Sequence, residues 1–298
     1  MKEFHAELAA NPAHYSYGYS VYGELEEGDN LAAILARGFQ PCTLVADAPP
    51  MVYMNRMSRV RVQEFEMHSE HRRILRKFEG GTQMQVRIYP WKNYPEPETA
   101  QRIILEYFTW RHGKESMPPE RLERILTFQN STSIVEYRIG GKIAGYSIEM
   151  HRQEVVYLWY FAYLREYKNN LGARIVLDVI VRAKGAGKTY AYLGSSYGSH
   201  MRYKGNYQPL EYWNGRAWNS ADGKAFRTLL RHDAFRSVVT SDNWRSTHRE
   251  FYPAPHSYRS GSSEFRFVYA MLTGAPRVTL LFAAWLIILA LAFLALLP

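Results

Sequence analysis

The sequence predicts an α/β (α+β) fold: a mixed sheet with flanking helices, a smaller N-terminal α/β region and one C-terminal transmembrane helix. Three consecutive segments between residues 133 and 163 alternate apolar and polar positions, which is typical of antiparallel strands. Apolar residues recur at helical spacing before and after these segments. Residues 278–297 carry no charge and are long enough, at about 1.5 Å per residue, to cross a hydrocarbon layer about 30 Å thick.

The N-terminal region, residues 1–94, begins with a short helix and a strand. The helix is predicted over residues 31–37, with Asp29 as its cap and Gly38 as its end. Residues 51–64 alternate like a single strand. A second helix follows and completes this region.

The second helix is predicted over residues 70–78, after a cap at Ser69. Helical spacing places its apolar residues on one face and its cations on the other. The apolar residues are Ile74, Leu75 and Phe78, and the cations are Arg72, Arg73, Arg76 and Lys77. Such a face could bind a phosphate backbone or anionic headgroups, or could simply be solvated.

Pro90, Pro95 and Pro97 mark the boundary before a second region, residues 95–218. This region is predicted to contain two helices, three antiparallel strands, a helix capped by Asn169 or Asn170, and a fourth strand. That order is typical of N-acyltransferases with a GNAT-like, acetyltransferase fold. Residues 219–277 follow as a polar extension and tether, and residues 278–297 as the transmembrane helix.

The charge and the cysteine content indicate which classes of partner and which cellular compartment are compatible with the chain. The 298 residues carry 37 Lys+Arg against 28 Asp+Glu, a net charge of +9, which favours an anionic partner such as RNA or a membrane surface. The single cysteine, Cys42, excludes an internal disulfide framework and any multi-thiolate metal site. Arg277 precedes the transmembrane segment, so the positive-inside tendency leaves the domain before it at the cytoplasmic face.

Two segments are similar to phosphate-binding patterns. Gly187-Lys188-Thr189 is not a phosphate loop, because Arg182 stands where that motif requires its first glycine and the segment lies between a helix and a strand. Asn169, Gly172 and Arg174 lie where acetyl-CoA enzymes of this fold carry a glycine-rich loop. An acyl-CoA donor therefore remains an alternative.

The most informative stretch is Tyr192-Leu193-Gly194 followed by residues 201–211. A buried strand ends in glycine, and a loop then presents Arg202, Lys204 and tyrosines where a sheet opens. Ends of strands are where α/β proteins usually bind ligands. Cations interleaved with aromatic rings suit a ligand with phosphate and flat groups, although a solvated basic loop has the same composition.

A series of short motifs runs in order between residues 16 and 218 of the chain. They are Arg37-Gly38-Phe39, Arg59 with Phe65, Arg72-Arg73-x-Leu75, Glu136-Tyr137-Arg138, Leu171-Gly172, Tyr192-Leu193-Gly194, Met201-x-Tyr203-Lys204, Tyr207-x-Pro209-x-Glu211 and Gly215-Arg216-x-Trp218. With these motifs the chain resembles the arginyl-/leucyl-tRNA-protein transferase family. Its members move an amino acid from aminoacyl-tRNA to the N-terminus of a protein.

The chain also departs from that family. Val52 and Asn55 occupy the places of a Cys-x-x-Cys pair, and Ser16-Tyr17 stands where a further cysteine is expected. The family's Tyr-Asp-Pro-Asp segment is replaced by residues 162–167, and the membrane tail is foreign to the usual member. We therefore expect a divergent member without an iron–sulfur cluster or a metal.

The resemblance implies aminolysis of an activated ester, which needs no covalent nucleophile. It assigns catalytic roles to Tyr203, Lys204 and Glu136, although Glu136 could instead be a cross-strand partner. The residues expected to bind the donor and its tRNA are Arg202, Tyr207, Arg59, Arg72, Arg73, Arg76, Gly172 and Gly194. Tyr203 and Tyr207 could stack on the terminal adenine, orient the ester, or only pack the loop. Aminoacyl-tRNA is the expected co-substrate, with no other cofactor.

The leading hypothesis is a membrane-anchored aminoacyltransferase that acts on a protein or peptide N-terminus. Alternatives are tRNA-dependent aminoacylation of a membrane lipid, an acyl-CoA-dependent N-acyltransferase, and a non-catalytic protein that binds RNA or protein. The sequence alone does not decide which amino acid is moved or to which acceptor.

Overall fold

The larger sheet of the fold is assembled from both halves of the chain. The computed structural model describes residues 1–5, 21–43, 50–79 and 84–232. The strands in these ranges are β1 (Lys2–His5), β2 (Val21–Glu24), β3 (Phe39–Cys42), β4 (Met51–Met54), β5 (Met57–Arg61), β6 (Met84–Pro90), β7 (Thr132–Ile139), β8 (Lys142–His151), β9 (Val155–Tyr163), β10 (Tyr190–Ser195), β11 (Leu210–Trp213) and β12 (Trp218–Ala221). The helices are α1 (Leu31–Ala36), α2 (Ser69–Glu79), α3 (Pro97–His112), α4 (Pro119–Leu126), α5 (Leu171–Gly185) and α6 (Gly223–His232).

The smaller sheet is antiparallel, with the order β1-β2-β4-β3. Helix α1 packs against β3. Its cap is Asn30, whose side-chain oxygen accepts a hydrogen bond from the Ala32 amide at 2.9 Å. The predicted cap, Asp29, was one residue too early, because its carboxylate accepts from the Glu26 amide at 2.7 Å instead.

The larger sheet has the order β12-β11-β5-β10-β9-β8-β7-β6. Strand β5, from the N-terminal region, lies between β10 and β11 and is antiparallel to both. The single strand predicted over residues 51–64 is in fact two strands, since the chain leaves the smaller sheet after Met54 and enters the larger one at Met57. Polar Asn55 and Arg56 stand at this break, and Arg56 and Ser58 interrupt the alternate apolar positions between Met54 and Val60.

The central prediction of a mixed α/β fold with a large mixed sheet is confirmed. Strands β7, β8 and β9 form the expected antiparallel meander, α5 follows, and β10 pairs parallel with β9. Helices α3 and α4 precede the meander as expected. Strand β6 occupies the edge beside β7 and ends at Pro90, where only a boundary was predicted. The predicted polar extension from residue 219 begins within β12 and continues into α6.

Burial explains why these segments form these elements. The first five residues of β9 are buried, which fits its aromatic composition and its central place in the sheet. On α5, Ile175, Val179 and Ile180 are fully buried against the sheet, and each such side chain contributes roughly 1.5–3 kcal/mol. On α2, Ile74 and Phe78 are buried while the predicted cations are exposed.

Strands β9 and β10 separate part of the way along the sheet. Their parallel pairing runs only from Tyr190 opposite Val155 to Tyr192 opposite Tyr157. Beyond that point β10 continues to Ser195, whereas the second half of β9 has no partner on this side among the described strands. We call this gap the β9–β10 opening. It lies at the carboxyl ends of two parallel strands, where ligands bind in such sheets.

The transmembrane helix predicted for residues 278–297 lies outside the described residues. Helices in the described part of the chain are too short or too polar to cross a membrane.

Gly38 is a position where the fold needs a glycine. Its φ is +79°, and a Cβ there would overlap the indole of Trp213, which is buried. We expect Gly38→Ala to destabilise the protein by roughly 2–5 kcal/mol, from backbone strain together with displacement of the indole. Urea unfolding would measure the loss.

Gly187→Ala is the matched control. Gly187 also has a positive φ, +69°, but a Cβ there would meet open space. We expect only the backbone strain, roughly 1–2 kcal/mol. Equal losses for the two variants would contradict the predicted steric conflict at Trp213.

Candidate functional site

The β9–β10 opening is bordered by residues 199–206, a 3-10 helical segment that follows β10. Lys204 on this segment turns inward and donates a hydrogen bond from Nζ to the carbonyl oxygen of Ser195 at 2.5 Å. Lys204 is only 3% exposed. Burial lowers its pKa to about 7, so both protonation states are accessible near neutral pH.

Ser195 is also held through its side chain. Gln40 Nε2 and Asn55 Nδ2 donate to Ser195 Oγ at 2.9 Å and 2.6 Å. Gln40 Nε2 also bonds the Tyr53 hydroxyl, and Gln40 Oε1 accepts from the Tyr157 hydroxyl at 3.4 Å. We call these five residues the Ser195 cluster. It connects the smaller sheet to the end of β10, beside the opening.

Sequence reasoning did not assign a role to any residue of the Ser195 cluster. Gln40 and Asn55 lie 155 and 140 positions from Ser195, so no local pattern joins them. The only signal was Asn55 itself, a polar residue at a place where the resembled family has cysteine. Asn55 is 4% exposed; its Nδ2 donates to Ser195, whereas its Oδ1 has no hydrogen-bond partner among the described residues.

The two predicted tyrosines differ in their surroundings. Tyr203 is half-buried on the 199–206 segment and packs against the cluster of apolar residues around α5 and β10. Tyr207 is 2% exposed, its ring stacks on His71 at 5.4 Å, and its hydroxyl donates to the Ala173 carbonyl at 3.0 Å. Tyr207 therefore joins α2 to α5, and at 2% exposure its ring is not accessible to an adenine in this conformation.

Arg59 is a second residue that the structure assigns to the interior. Its Nε donates to Glu211 at 2.7 Å and its Nη1 to the Tyr192 hydroxyl at 3.1 Å. The guanidinium lies over the rings of Tyr190 and Trp218, at 3.7 Å and 4.0 Å from their centroids. We call these residues the Arg59 cluster. Since Arg59 is 7% exposed and already bonded, it cannot contact tRNA in this conformation.

Glu136 lies on β7, separated from β10 by β8 and β9, which is about 14 Å across the sheet. Arg138 donates to one of its oxygens at 2.6 Å and Tyr94 to the other at 2.7 Å. Burial would raise the pKa of Glu136, but these bonds outweigh it and lower the pKa. The structure therefore does not bring Glu136 together with Tyr203 and Lys204.

The two predicted glycines allow close packing at the opening. A Cβ on Gly172 would lie 3.1 Å from the rings of Phe161 and Tyr163, so a glycine lets α5 begin close to β9. Gly194 has a φ of +74°, a conformation that favours glycine, just before Ser195.

The predicted cations lie on neighbouring elements. Arg72, Arg73 and Arg76 are exposed on α2, and Arg202 is exposed on the 199–206 segment. The two elements meet where His68 Nε2 lies 3.3 Å from the Asn206 carbonyl. Arg73 is already engaged by Glu70, through two bonds of 2.7 Å. Among the described residues, Arg76 and Arg202 have no ion-pair partner and can bind an anion.

Comparison with protein families identifies a related group. The model for the C terminus of arginine-tRNA-protein transferase (ATE_C) matches residues 100–214, less than half of the chain. An aspartate/glutamate leucyltransferase from Chromohalobacter salexigens is 24% identical over 169 residues, which cover 54% of this chain and 66% of the relative. Both matches support the aminoacyl-tRNA-protein transferase family and an aminoacyltransferase enzyme.

Solved structures show weaker likeness. The C-terminal domain (DUF2156) of a candidate lysylphosphatidylglycerol synthetase from Agrobacterium fabrum gives a TM-score of 0.38 at 13% identity, over 56% of this chain and 51% of that one. L-PGS from Bacillus licheniformis gives a TM-score of 0.36 at 14% identity, over 55% of this chain and 49% of that one. The chain thus matches about half the length of each.

The shifted pKa of Lys204 predicts how stability depends on pH. Between about pH 7 and pH 10 the unfolded chain holds a proton on this lysine that the native chain lacks. Wild-type protein should therefore gain stability relative to Lys204→Met as pH rises through this window, by up to about 1.4 kcal/mol per pH unit. Below about pH 7 both states are protonated and the difference should be constant.

Urea unfolding across this pH range would measure the effect. Lys168→Met, at an exposed lysine before α5, is the matched control and should show no such slope relative to wild type. A pH-independent difference between wild type and Lys204→Met would show that Lys204 is charged in the native protein.

Proposed function

We propose that this chain is a membrane-anchored aminoacyltransferase that moves an amino acid from aminoacyl-tRNA to the N-terminal amino group of a protein or peptide. One observation carries the proposal above the others. The region matched by the arginine-tRNA-protein transferase model, residues 100–214, contains β9, β10 and the 199–206 segment, the parts of the chain that border the opening.

The reaction requires positioning more than chemical assistance. The donor is an activated ester, so a neutral amine can attack its carbonyl without a covalent enzyme intermediate. The protein must hold the amine against the carbonyl, stabilise the oxyanion and allow the ribose oxygen to leave. The β9–β10 opening, with polar groups at its rim, suits such a reaction.

The donor side is assigned to the exposed cations of α2 and the 199–206 segment. Arg72, Arg76 and Arg202 are available for phosphates of the acceptor stem, and such contacts determine position and affinity without reading sequence. Arg73 could take part only by exchanging its bonds to Glu70. Tyr203, half-buried on the same segment, is the aromatic ring proposed to contact the terminal nucleotide or the ester.

Lys204 acts in this proposal by positioning. Its Nζ is bonded to the Ser195 carbonyl and is buried, so it holds the 199–206 segment against the end of β10. Glu136 was predicted to be catalytic, but this proposal gives it no part in the reaction. Its two oxygens are already occupied by Arg138 and Tyr94.

The acceptor is proposed from the family resemblance and the membrane location from the apolar run at residues 278–297. That run would keep the reaction centre near the cytoplasmic face. The same run favours one alternative, transfer to the amine or hydroxyl group of a lipid headgroup. An acyl-CoA donor is the second alternative, since α5 begins beside the opening.

A transfer assay tests the proposal. Full-length protein in detergent would be given tRNA charged with labelled leucine, arginine or lysine, and peptides that differ only in the N-terminal residue. We expect label in peptide. Label that partitions into organic solvent with phosphatidylglycerol vesicles would favour the lipid alternative, and thiol release from acetyl-CoA the acyl-CoA alternative. No transfer in any arm would contradict an aminoacyltransferase function.

Charge reversal tests the donor surface. Arg76→Glu and Arg202→Glu should each weaken binding of charged tRNA and reduce the slope of log affinity against log salt by about one for each lost phosphate contact. Arg102→Glu is the charge-matched control, because Arg102 is exposed on α3 and paired with Glu106. Equal effects of all three variants would indicate only the loss of net positive charge.

A further inference from the structure

The hydroxyl of Ser195 has an unusual arrangement of hydrogen bonds. A serine hydroxyl has two acceptor lone pairs and one proton to donate. Both lone pairs are used here, by Gln40 Nε2 at 2.9 Å and Asn55 Nδ2 at 2.6 Å. Within the described part of the chain no group accepts the Ser195 proton. With Asn55 Nδ2 facing Ser195, the hydroxyl is left as a donor without an acceptor, and in the same arrangement Asn55 Oδ1 is buried with no partner among the described residues.

The surroundings fix this donor firmly. Gln40 and Asn55 are each 4% exposed, and Gln40 is itself bonded to the hydroxyls of Tyr53 and Tyr157. The backbone of Ser195 is held separately, since Lys204 Nζ binds its carbonyl at 2.5 Å. A donor fixed in this way does not have to reorganise when a charge develops beside it, which is the condition for electrostatic catalysis.

Ser195 also lies where a reacting group can come close. It is the last residue of β10, three residues beyond the last pairing of β10 with β9, and it is half-buried. Its neighbour Ser196 is different: that hydroxyl is fully buried and lies 2.9 Å from Ser58 Oγ and 3.4 Å from the Gly194 carbonyl. The hydroxyl proton of Ser196 thus already has an acceptor, whereas that of Ser195 does not have one in this arrangement.

We propose that the Ser195 hydroxyl donates a hydrogen bond to the carbonyl oxygen of the donor ester during transfer. Gln40 and Asn55 are its positioning residues. The assignment rests on the proposed aminoacyl transfer and adds a catalytic residue that lies outside the resemblance motifs. It also gives the smaller N-terminal sheet a role in the reaction, because Gln40 lies on β3 and Asn55 directly follows β4.

The step balances without a further reactant. The amine nitrogen forms a bond to the carbonyl carbon, and the π electrons move to the carbonyl oxygen, which accepts the Ser195 hydrogen bond. When the tetrahedral intermediate collapses, the bond to the ribose oxygen breaks. That oxygen leaves with the proton that the amine gives up, so Ser195 keeps its own proton throughout.

The test compares two serines in the full-length protein, with the charged tRNA and peptide that the transfer assay identifies. Loss of one oxyanion donor lowers kcat by roughly 100-fold or more, so Ser195→Ala should do so with KM for charged tRNA changed by less than about twofold. Ser195→Thr, which keeps a hydroxyl, should recover part of kcat. Ser196→Ala should lower the thermal midpoint and leave kcat within about threefold of wild type.

A second variant guards against misfolding of Ser195→Ala. Asn55→Asp replaces the amide donor with a carboxylate that accepts the Ser195 proton, so kcat should fall although the hydroxyl is present. Full kcat in Ser195→Ala, or increased kcat in Asn55→Ala, would overturn the inference while leaving the proposed function intact. A wild-type protein that transfers no amino acid would overturn both.

Discussion

The rest of the structure depends on the ion pair between Arg59 and Glu211. It joins β5, from the N-terminal half of the chain, to β11, and Arg59 is also directly opposite Tyr192 of β10. Removing one partner of a buried pair typically costs about 3–5 kcal/mol, because the other charge is left without compensation. The pair therefore lies where β5 is paired with both β10 and β11. Past the point where β9 separates, β5 pairs again with Ser195 and supports the end of β10.

Elements held by contacts between sequence neighbours could be predicted from the sequence, whereas elements held by contacts between distant segments could not. The meander and α5 were predictable, because their patterns are long and each is formed by neighbouring residues. Strands β3, β11 and β12 have four residues each and form only because a partner strand lies beside them. Polar Asn55 and Arg56 mark the break between β4 and β5, but a short polar interruption does not indicate that the next strand joins a different sheet.

In the candidate site, too, the sequence did not indicate the contacts between distant residues. Motifs single out residues without indicating what they contact: Arg59 and Tyr207 satisfy their polar groups inside the protein, whereas Arg76 and Arg202 are exposed. A motif records any requirement for a residue, and packing requirements are as strict as binding ones. The Ser195 cluster joins three distant segments, so its geometry exists only in the folded chain.

Lys204 connects the stability of this site to the chemistry proposed for it. Burying a charged ammonium is unfavourable, so the 199–206 segment is most stable against β10 when Lys204 is neutral, which its pKa of about 7 permits. An attacking N-terminal amine, with an ordinary pKa of about 7.7–8.0, must also be neutral to react. Both conditions are met on the alkaline side of neutrality. The pH range in which the acceptor is reactive is therefore the range in which the loop that fixes Ser195 is held without a buried charge.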